Sequence, residues 1–182
     1  MYRAMGTTVF ETMSRLAAEH GAVNLGQGFP DDRGPEDVIA RAAEALVTGW
    51  NQYPSMLGLP ELRDAIAEHE QRFYGLSFDP RTEVLVTSGA TEALAACILA
   101  LVEPGDEVVL FEPAYDAYAP LVRRAGGTPR FVTLRPPDFA FDDAALAEVF
   151  SDRTKLVVLN NPQNPAGKVY TEAELDLVAR WV

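Results

Sequence analysis

Short apolar stretches alternate with amphipathic stretches over the second half of the chain. Apolar runs of strand length, rich in β-branched residues, predict strands at 84–86, 107–111, 131–134 and 155–159. Helical spacing between them predicts helices at 90–101, 114–125 and 143–150, and another from Thr171 onward, where Glu174 follows three residues later as a helix-start signal. Strands separated by helices predict an α/β fold, with three layers, a mostly parallel sheet and helices on both faces.

The first half of the chain is predicted to be helical. Residues 9–20 and 35–47 have apolar positions at helical spacing, and Gly21 and Gly49 follow as end signals. A further helix is predicted at 60–74, after a loop at 50–59. This half therefore predicts an N-terminal helical arm ahead of the sheet.

The stretch after the last predicted strand carries the strongest chemical signal. Asn161 and Asn164 each precede a proline, which disfavours the α conformation and keeps both asparagines extended at the strand's carboxyl end. Ligands of open α/β sheets bind at that end, and an amide offers both a donor and an acceptor. A structural turn that contains prolines explains the same residues equally well.

Four other blocks accompany this stretch along the chain. They read NLGQGFPD at 24–31, NQY at 51–53, TSGATEAL at 87–94 and EPAYDAY at 112–118. With the strand-closing Asn-x-Pro-x-Asn-Pro-x-Gly pattern, they resemble the class I/II aminotransferases, the fold-type I enzymes that use pyridoxal phosphate. Nearly the whole chain fits that family. The nearest branch looks like the kynurenine and methionine aminotransferases, with the succinyl-diaminopimelate aminotransferases close by.

The resemblance implies the amino-terminal half of such an enzyme. Residues 1–34 would form the N-terminal arm and substrate loop, and residues 35–182 the amino-terminal part of the cofactor-binding large domain. The carboxyl-terminal half and the small domain would lie beyond Val182, with the Schiff-base lysine, the aspartate that pairs with the pyridine nitrogen and the arginine that takes the substrate carboxylate. Lys155 precedes a strand at the end away from the ligand crevice, and Lys168 matches a non-catalytic position. No catalytic residue is therefore expected within the chain.

The resemblance also assigns cofactor contacts within the chain. The backbone amides of Ala90 and Thr91 would cradle the cofactor phosphate at a helix amino terminus, although small residues also open ordinary helices. Tyr115 would stack on the pyridine ring. Asn164 would donate to the phenolic oxygen O3′ and thereby lower the pKa of the imine nitrogen. For Tyr115, simple core packing is the alternative.

Two further contacts are implied outside the sheet region. Tyr53 would reach across a dimer interface to the partner's cofactor phosphate, and the backbone of Gly28 would touch the substrate carboxylate. Packing for Tyr53 and turning for Gly28 are the structural alternatives. The resemblance therefore predicts a homodimer, and no metal site is expected.

The function implied is transamination between an aromatic or sulfur-containing L-amino acid, of the kynurenine or methionine type, and a 2-oxo acid. Asn161 departs from the family's usual Thr or Ser and Gln163 from a common His, so the substrate preference stays open. Succinyl-diaminopimelate amination and a pyridoxal-phosphate C–S lyase reaction are the alternatives within the fold. The alternative of another class is a non-catalytic fragment that binds cofactor or serves as a subunit half. The chain alone is expected to be inactive.

Composition narrows the class of protein. The net charge of −12 argues against nucleic acid or an anionic membrane as a partner, and 48% apolar residues suffice for a packed core. Cys97 lies in an apolar helix pattern and is expected to be a buried structural thiol. The amino terminus lacks the apolar core of a signal peptide, and the longest apolar run is too short to span a bilayer. We therefore expect a soluble cytoplasmic protein.

Sharp bends are expected where Asn164 and Tyr115 are aimed at a ligand. We predict cis peptide bonds at Asn164-Pro165 and Glu112-Pro113, since X-Pro bonds adopt cis at modest cost and similar enzymes carry cis prolines at both places. Asn161-Pro162 is expected to be trans.

Overall fold

The computed structural model describes residues 7–28, 30, 32–49 and 51–182. Residues 1–6 of the expected arm, Phe29 and Asp31 of the first block, and Trp50 of the expected loop lie outside this range. The chain divides into two compact units, Met1–Val86 and Thr87–Val182, and each is described by itself. The expected division into residues 1–34 and 35–182 stays a proposal.

The described part of the first unit contains three helices, α1 (Val9–Glu19), α2 (Glu36–Thr48) and α3 (Pro60–Tyr74). Thr8 caps α1, because its hydroxyl oxygen accepts from the N–H of Glu11 at 3.2 Å. Helix α3 begins at a proline, which is tolerated there because an N–H in the first turn has no acceptor within the helix. The helix is followed by Gly75, which has a φ of +70°. The helices predicted for this half are confirmed to within one residue at each end.

The second unit is built on a parallel sheet. Its strands are β1 (Glu107–Glu112), β2 (Thr128–Thr133) and β3 (Thr154–Val158), in the order β2-β1-β3. The helices of this unit are α4 (Gly89–Leu101), α5 (Tyr118–Ala125), α6 (Asp143–Ala147) and α7 (Glu172–Ala179). A strand–helix–strand order with parallel pairing places the connecting helices against the faces of the sheet.

Strand β1 is the centre of the second unit and is buried on both faces. Val109 and Phe111 pack on one face in a cluster that includes Leu146 of α6 and Val178 of α7. The alternate residues Val108 and Leu110 pack on the other face in a cluster that includes Ile98 of α4, and Tyr118 and Val122 of α5. The predicted three-layer α/β architecture is thereby confirmed.

Several predicted elements are corrected by the structure. Residues 84–86 do not form a strand. The N–H of Val86 donates to the carbonyl of Leu57 at 3.0 Å, and none of the strands in the described sheet pairs with this segment. The helix expected at 114–125 begins only at Tyr118, because residues 113–117 form a loop after β1. The helix expected at 143–150 ends at Ala147, where the N–H groups of Val149 and Phe150 both turn back to the carbonyl of Leu146.

Cys97 is exposed, so the expectation of a buried thiol is wrong. Helix α4 buries Ile98 against the sheet, and the residue before it points about 100° away around the helix axis. Because α4 is apolar on nearly all sides, its sequence does not show which side faces the core.

The peptide bonds at Glu112-Pro113 and Asn164-Pro165 are cis, as predicted. Asn161-Pro162 is also cis, and the prediction of trans is wrong there; Pro136-Pro137 is a further cis bond. The side chain of Asn161 accepts from the N–H of Tyr170, nine residues further along the chain. Within the described part of the chain, none of the helices has the length and apolar character needed to cross a membrane.

Candidate cofactor-binding site

Two predicted site residues of the second unit, Tyr115 and Asn164, follow neighbouring strands of the parallel sheet. Strands β1 and β3 run parallel, so the loop at 113–117 and the turn at 159–167 leave the sheet at the same edge. Helix α4 packs on β1 and leads into its start through residues 102–106; helix and strand are each about 20 Å long. We therefore infer that the amino end of α4, which carries Ala90 and Thr91, lies toward the edge that Tyr115 and Asn164 follow.

Helix α4 opens with backbone amides that no side chain caps from the N-cap position. Its first residue, Gly89, has a φ of +81° and open space where a Cβ would point. A glycine is needed for this backbone conformation. Ala90 and Thr91 are exposed, and no oxygen of the described residues accepts from their N–H groups. Bare amides at a helix amino terminus suit an anion such as a phosphate.

A carboxylate already lies close to this amino terminus. The N–H of Ser88 donates to a carboxylate oxygen of Glu92, one helical turn into α4. This bond satisfies the amide that precedes the helix and leaves those of Ala90 and Thr91 for a ligand.

The three asparagines of the turn after β3 differ in what their side chains do. Asn160 Oδ1 accepts from the N–H of Asn164 at 2.9 Å, and Asn161 Oδ1 accepts from the N–H of Tyr170 at 3.1 Å. Both amides therefore hold the shape of the turn. The side chain of Asn164 is exposed and makes no hydrogen bond to the described residues. Its donor and acceptor remain available to a ligand.

Tyr115 lies in the loop between β1 and α5, close to the buried Tyr118. The two rings meet edge to face, with centroids 5.6 Å apart and planes at 69°. Burial, and to a smaller degree the neighbouring Tyr115, raise the pKa of Tyr118, which belongs to the core. Tyr115 is only partly buried, so part of its ring can contact a flat ligand.

Gln163 is a functional candidate that the sequence analysis missed. The residue is buried, with 4% of its surface exposed. Its Nε2 donates to the carbonyl of Pro113, and its Oε1 accepts from the N–H of Ala166 at 2.8 Å. The sequence marked Gln163 only as a departure from a family pattern, and nothing local predicts that a glutamine between two turn prolines is buried.

Both lysines of the chain lie where the sequence placed them relative to the sheet. Lys155 belongs to the amino-terminal part of β3, away from the site edge. The Lys168 amine donates to Glu174 Oε1 at 2.8 Å and to the carbonyl of Asp138 at 3.1 Å. The amine of Lys168 is therefore engaged by the protein itself.

Gly28 and Tyr53 belong to the first unit. A Cβ on the nearby Gly26 would lie 2.7 Å from Met13 Cβ, so close packing requires that glycine. A Cβ on Gly28 would meet none of the described atoms within 4 Å, so packing gives no reason for this second glycine. Tyr53 is 96% exposed and has a φ of +50°, a region that few residues other than glycine adopt.

Comparison with known proteins shows which family and which relatives the chain is similar to. Residues 20–182 match the family model described as Aminotransferase class I and II. The chain is 50% identical over 179 residues to a probable N-succinyldiaminopimelate aminotransferase of Mycobacterium tuberculosis, covering 97% of the chain and 45% of the relative. It is 47% identical over 177 residues to methionine aminotransferase of Escherichia coli, with 97% and 45% covered. It is also 42% identical over 179 residues to kynurenine–oxoglutarate transaminase 1 of Homo sapiens, with 91% and 42% covered.

Solved structures agree with the sequence matches. A methionine aminotransferase from Escherichia coli superimposes with a TM-score of 0.94 at 44% identity, covering 100% of this chain and 47% of that one. The N-succinyldiaminopimelate aminotransferase of Mycobacterium tuberculosis gives a TM-score of 0.92 at 49% identity, covering 98% and 47%. The chain thus spans slightly less than half the length of the relatives it matches. By sequence and fold, it belongs to the class I and II aminotransferases, the fold-type I family whose members depend on pyridoxal phosphate.

Proposed function

We propose that this chain is the amino-terminal part of an aminotransferase that moves an amino group between an aromatic or sulfur-containing L-amino acid and a 2-oxo acid. One observation carries the proposal. The amides of Ala90 and Thr91 are uncapped at the start of α4, and the side-chain amide of Asn164 is unbonded in the turn after β3. The first group suits a phosphate, and the second suits the phenolic oxygen of a pyridine ring.

These residues fit pyridoxal phosphate. The amides of Ala90 and Thr91 would hold its phosphate, and the absence of a side chain at Gly89 leaves the approach open. Tyr115 would cover the ring, while Asn164 would donate to its phenolic oxygen. Helix amides bind a dianion without a basic patch, which agrees with a net charge of −12. Bound there, the cofactor supplies an electron sink for the amino-acid substrate.

The two residues of the first unit complete the proposal. The backbone N–H of Gly28 would contact the substrate carboxylate, and the exposed hydroxyl of Tyr53 would reach the cofactor phosphate of a partner subunit in a homodimer. Residues 1–34 would then be the arm and substrate loop, and residues 35–182 the first part of the large domain. The Schiff-base lysine and the small domain would come from sequence beyond Val182. On this proposal the chain alone is inactive, and the enzyme is cytoplasmic.

A second substrate has support of its own. A relative named as a probable N-succinyldiaminopimelate aminotransferase is 50% identical to the chain, slightly above the methionine aminotransferase. The departures at Asn161 and Gln163 do not decide between them, because both side chains form hydrogen bonds to the protein's own backbone. The kynurenine or methionine type remains our first proposal and N-succinyldiaminopimelate the second.

A substrate panel with the full-length gene product tests this choice. We expect stoichiometric pyridoxal phosphate and a kcat/KM for methionine or kynurenine at least about tenfold above that for N-succinyldiaminopimelate. The reverse ratio would establish the second candidate. Elimination at a cysteine S-conjugate without transamination would establish a lyase. Bound cofactor without turnover of any substrate would favour the non-catalytic alternative, and no cofactor binding at all would refute the proposal.

A further inference from the structure

We propose that Gln163 is a positioning residue for the cofactor ring. Its buried amide joins the loop that carries Tyr115 to the turn that carries Asn164. It thereby sets the spacing between the group that covers the ring and the group that binds its edge. The inference deepens the proposed function and rests on it.

Both polar atoms of the Gln163 side-chain amide form hydrogen bonds. Nε2 donates to the carbonyl of Pro113, two residues before Tyr115, and Oε1 accepts from the N–H of Ala166, two residues after Asn164. A planar amide fixes the distance between its donor and its acceptor. The two segments therefore cannot separate or slide without leaving buried polar groups unpaired.

The backbone of Gln163 is held as firmly as its side chain. Its N–H donates to the carbonyl of Lys168 at 2.8 Å, and its carbonyl accepts from the N–H of Gly167 at 2.7 Å. Because the residue is only 4% exposed, water cannot replace these partners without opening the turn.

The sheet itself does not provide this connection. The β1–β3 ladder ends at the pair Leu110 and Val158, although β1 continues to Glu112 beside β2. Beyond that pair, the loop after β1 and the turn after β3 have left the ladder. Among the described residues, the hydrogen bond from Gln163 Nε2 to the carbonyl of Pro113 joins this loop to this turn.

Two substitutions in the full-length gene product separate positioning from general stability. Gln163→Leu removes both bonds. Gln163→Glu keeps the acceptor for Ala166, but an ionised carboxylate cannot donate to the carbonyl of Pro113. Once protonated, the same side chain donates and accepts, so it restores both bonds. The Glu variant should therefore match the Leu variant at alkaline pH and approach wild type at mildly acidic pH.

The charged groups that neighbour these bonds along the chain are shared by all variants. Glu112 accepts from the hydroxyl of Thr133 at 2.8 Å, and Lys168 is paired with Glu174. The wild-type pH profile therefore serves as the control for any pH dependence that all variants share.

The readouts are the affinity of the apoprotein for pyridoxal phosphate, the circular dichroism of the bound cofactor, and the affinity for inorganic phosphate. For Gln163→Leu we expect pyridoxal phosphate to bind about tenfold more weakly with a reduced cofactor signal. Inorganic phosphate, which probes only the cradle at Ala90 and Thr91, should bind as in wild type. Gln71→Leu, on the exposed side of α3, is the matched control and should change nothing.

Each outcome of these measurements supports or overturns the role of Gln163. Unchanged cofactor affinity and dichroism in Gln163→Leu would overturn the inference and leave the proposed function intact. Equal loss of pyridoxal phosphate and inorganic phosphate would also overturn it, because the effect would then be structural only. If Gln163→Leu does not fold, absence of acid rescue in Gln163→Glu would overturn it. A wild-type protein that binds no pyridoxal phosphate would refute the proposed function itself, and the role of Gln163 with it.

Discussion

The amine of Lys168 lies 2.8 Å from Oε1 of Glu174, and both side chains are largely buried, with 11% and 16% exposed. The same amine donates to the carbonyl of Asp138 at 3.1 Å and lies 5.7 Å from the centre of the Tyr170 ring. Lys168 therefore ties the turn after β3 to the start of α7 and to the loop at Asp138. A lysine committed in this way is a structural group and not a free nucleophile.

We predict that the 182-residue chain alone forms no stable covalent link with pyridoxal phosphate and shows no transamination. Lys168 is engaged by Glu174, and Lys155 lies at the amino-terminal part of β3, away from the site edge. Borohydride reduction followed by peptide mass spectrometry measures this. The full-length gene product is the control and should be labelled on a lysine beyond Val182. Stoichiometric labelling of Lys168 or Lys155 would contradict the prediction.

The carboxylate of Glu174 should make the second unit sensitive to acid. Burial acts to raise its pKa, but hydrogen bonds from Lys168 and Thr171 outweigh burial and hold the pKa below the ordinary 4.5. The folded state thus binds the proton less readily than the unfolded chain does. The stabilisation is fully present above pH 4.5 and is lost as the pH falls through the lower folded pKa.

Glu174→Gln should reduce the free energy of unfolding by about 1 kcal/mol at neutral pH, since it weakens both a capping box and an ion pair. The difference from wild type should shrink as the pH falls below 4.5. Urea unfolding followed by circular dichroism over this pH range measures it. Glu172→Gln, an exposed carboxylate in the same first turn, is the control. A difference that persists unchanged in acid would contradict the assignment.

Much of the fold was predictable because its signals are local. Helix α1 ends near Gly21, α3 begins at Pro60, and the Thr171–Glu174 spacing gives the capping box seen at α7. Residues 84–86 failed as a strand because strand formation depends on a distant partner, and no local pattern reports whether that partner is present. The exposure of Cys97 was missed for a related reason, since the uniformly apolar α4 does not show its buried side.

The residues of the candidate site likewise divide into those that local motifs predict and those whose contacts only the structure shows. The motifs predicted Ala90, Thr91, Tyr115 and Asn164 as cofactor contacts, and that assignment stays a prediction; in the structure, Tyr115 and Asn164 follow two parallel strands that end at the same edge. The buried bonds of Gln163 join segments 50 residues apart, so no sequence window contains both partners. The same holds for Lys168, whose contact with Asp138 spans 30 residues.

Asn164→Ala in the full-length gene product should weaken cofactor binding without destabilising the fold. The side chain is exposed and unbonded among the described residues, so the free energy of unfolding should stay within about 0.5 kcal/mol of wild type. Loss of one donor to the phenolic oxygen should weaken pyridoxal phosphate binding about fivefold to tenfold. Equilibrium dialysis and thermal unfolding measure the two effects.

Asn160→Ala provides the contrast for this experiment. It removes the acceptor for the N–H of Asn164 and should lower stability as well as affinity. The assignment of Asn164 would be wrong if its own substitution left affinity unchanged, or if stability fell as far as in Asn160→Ala.

Tyr53→Phe should weaken pyridoxal phosphate binding in the full-length gene product about threefold to tenfold by removing one hydroxyl donor. Tyr53 is 96% exposed, so the substitution leaves packing within the first unit unchanged. Tyr74→Phe, an exposed tyrosine at the end of α3, is the matched control. Unchanged affinity in Tyr53→Phe would count against any phosphate contact.

A hybrid dimer tests whether Tyr53 acts on the partner's site. Pair a Tyr53→Phe subunit with an Asn164→Ala subunit. If Tyr53 acts across the interface, the site in the Tyr53→Phe subunit receives an intact tyrosine from its partner and keeps its own Asn164. Half of the sites should then bind cofactor as tightly as wild type, and the other half should be doubly impaired. If Tyr53 acts within its own subunit, every site carries one defect and no tight class appears. Titration of the purified hybrid with pyridoxal phosphate distinguishes the two, because only action across the interface gives a biphasic curve with a wild-type phase.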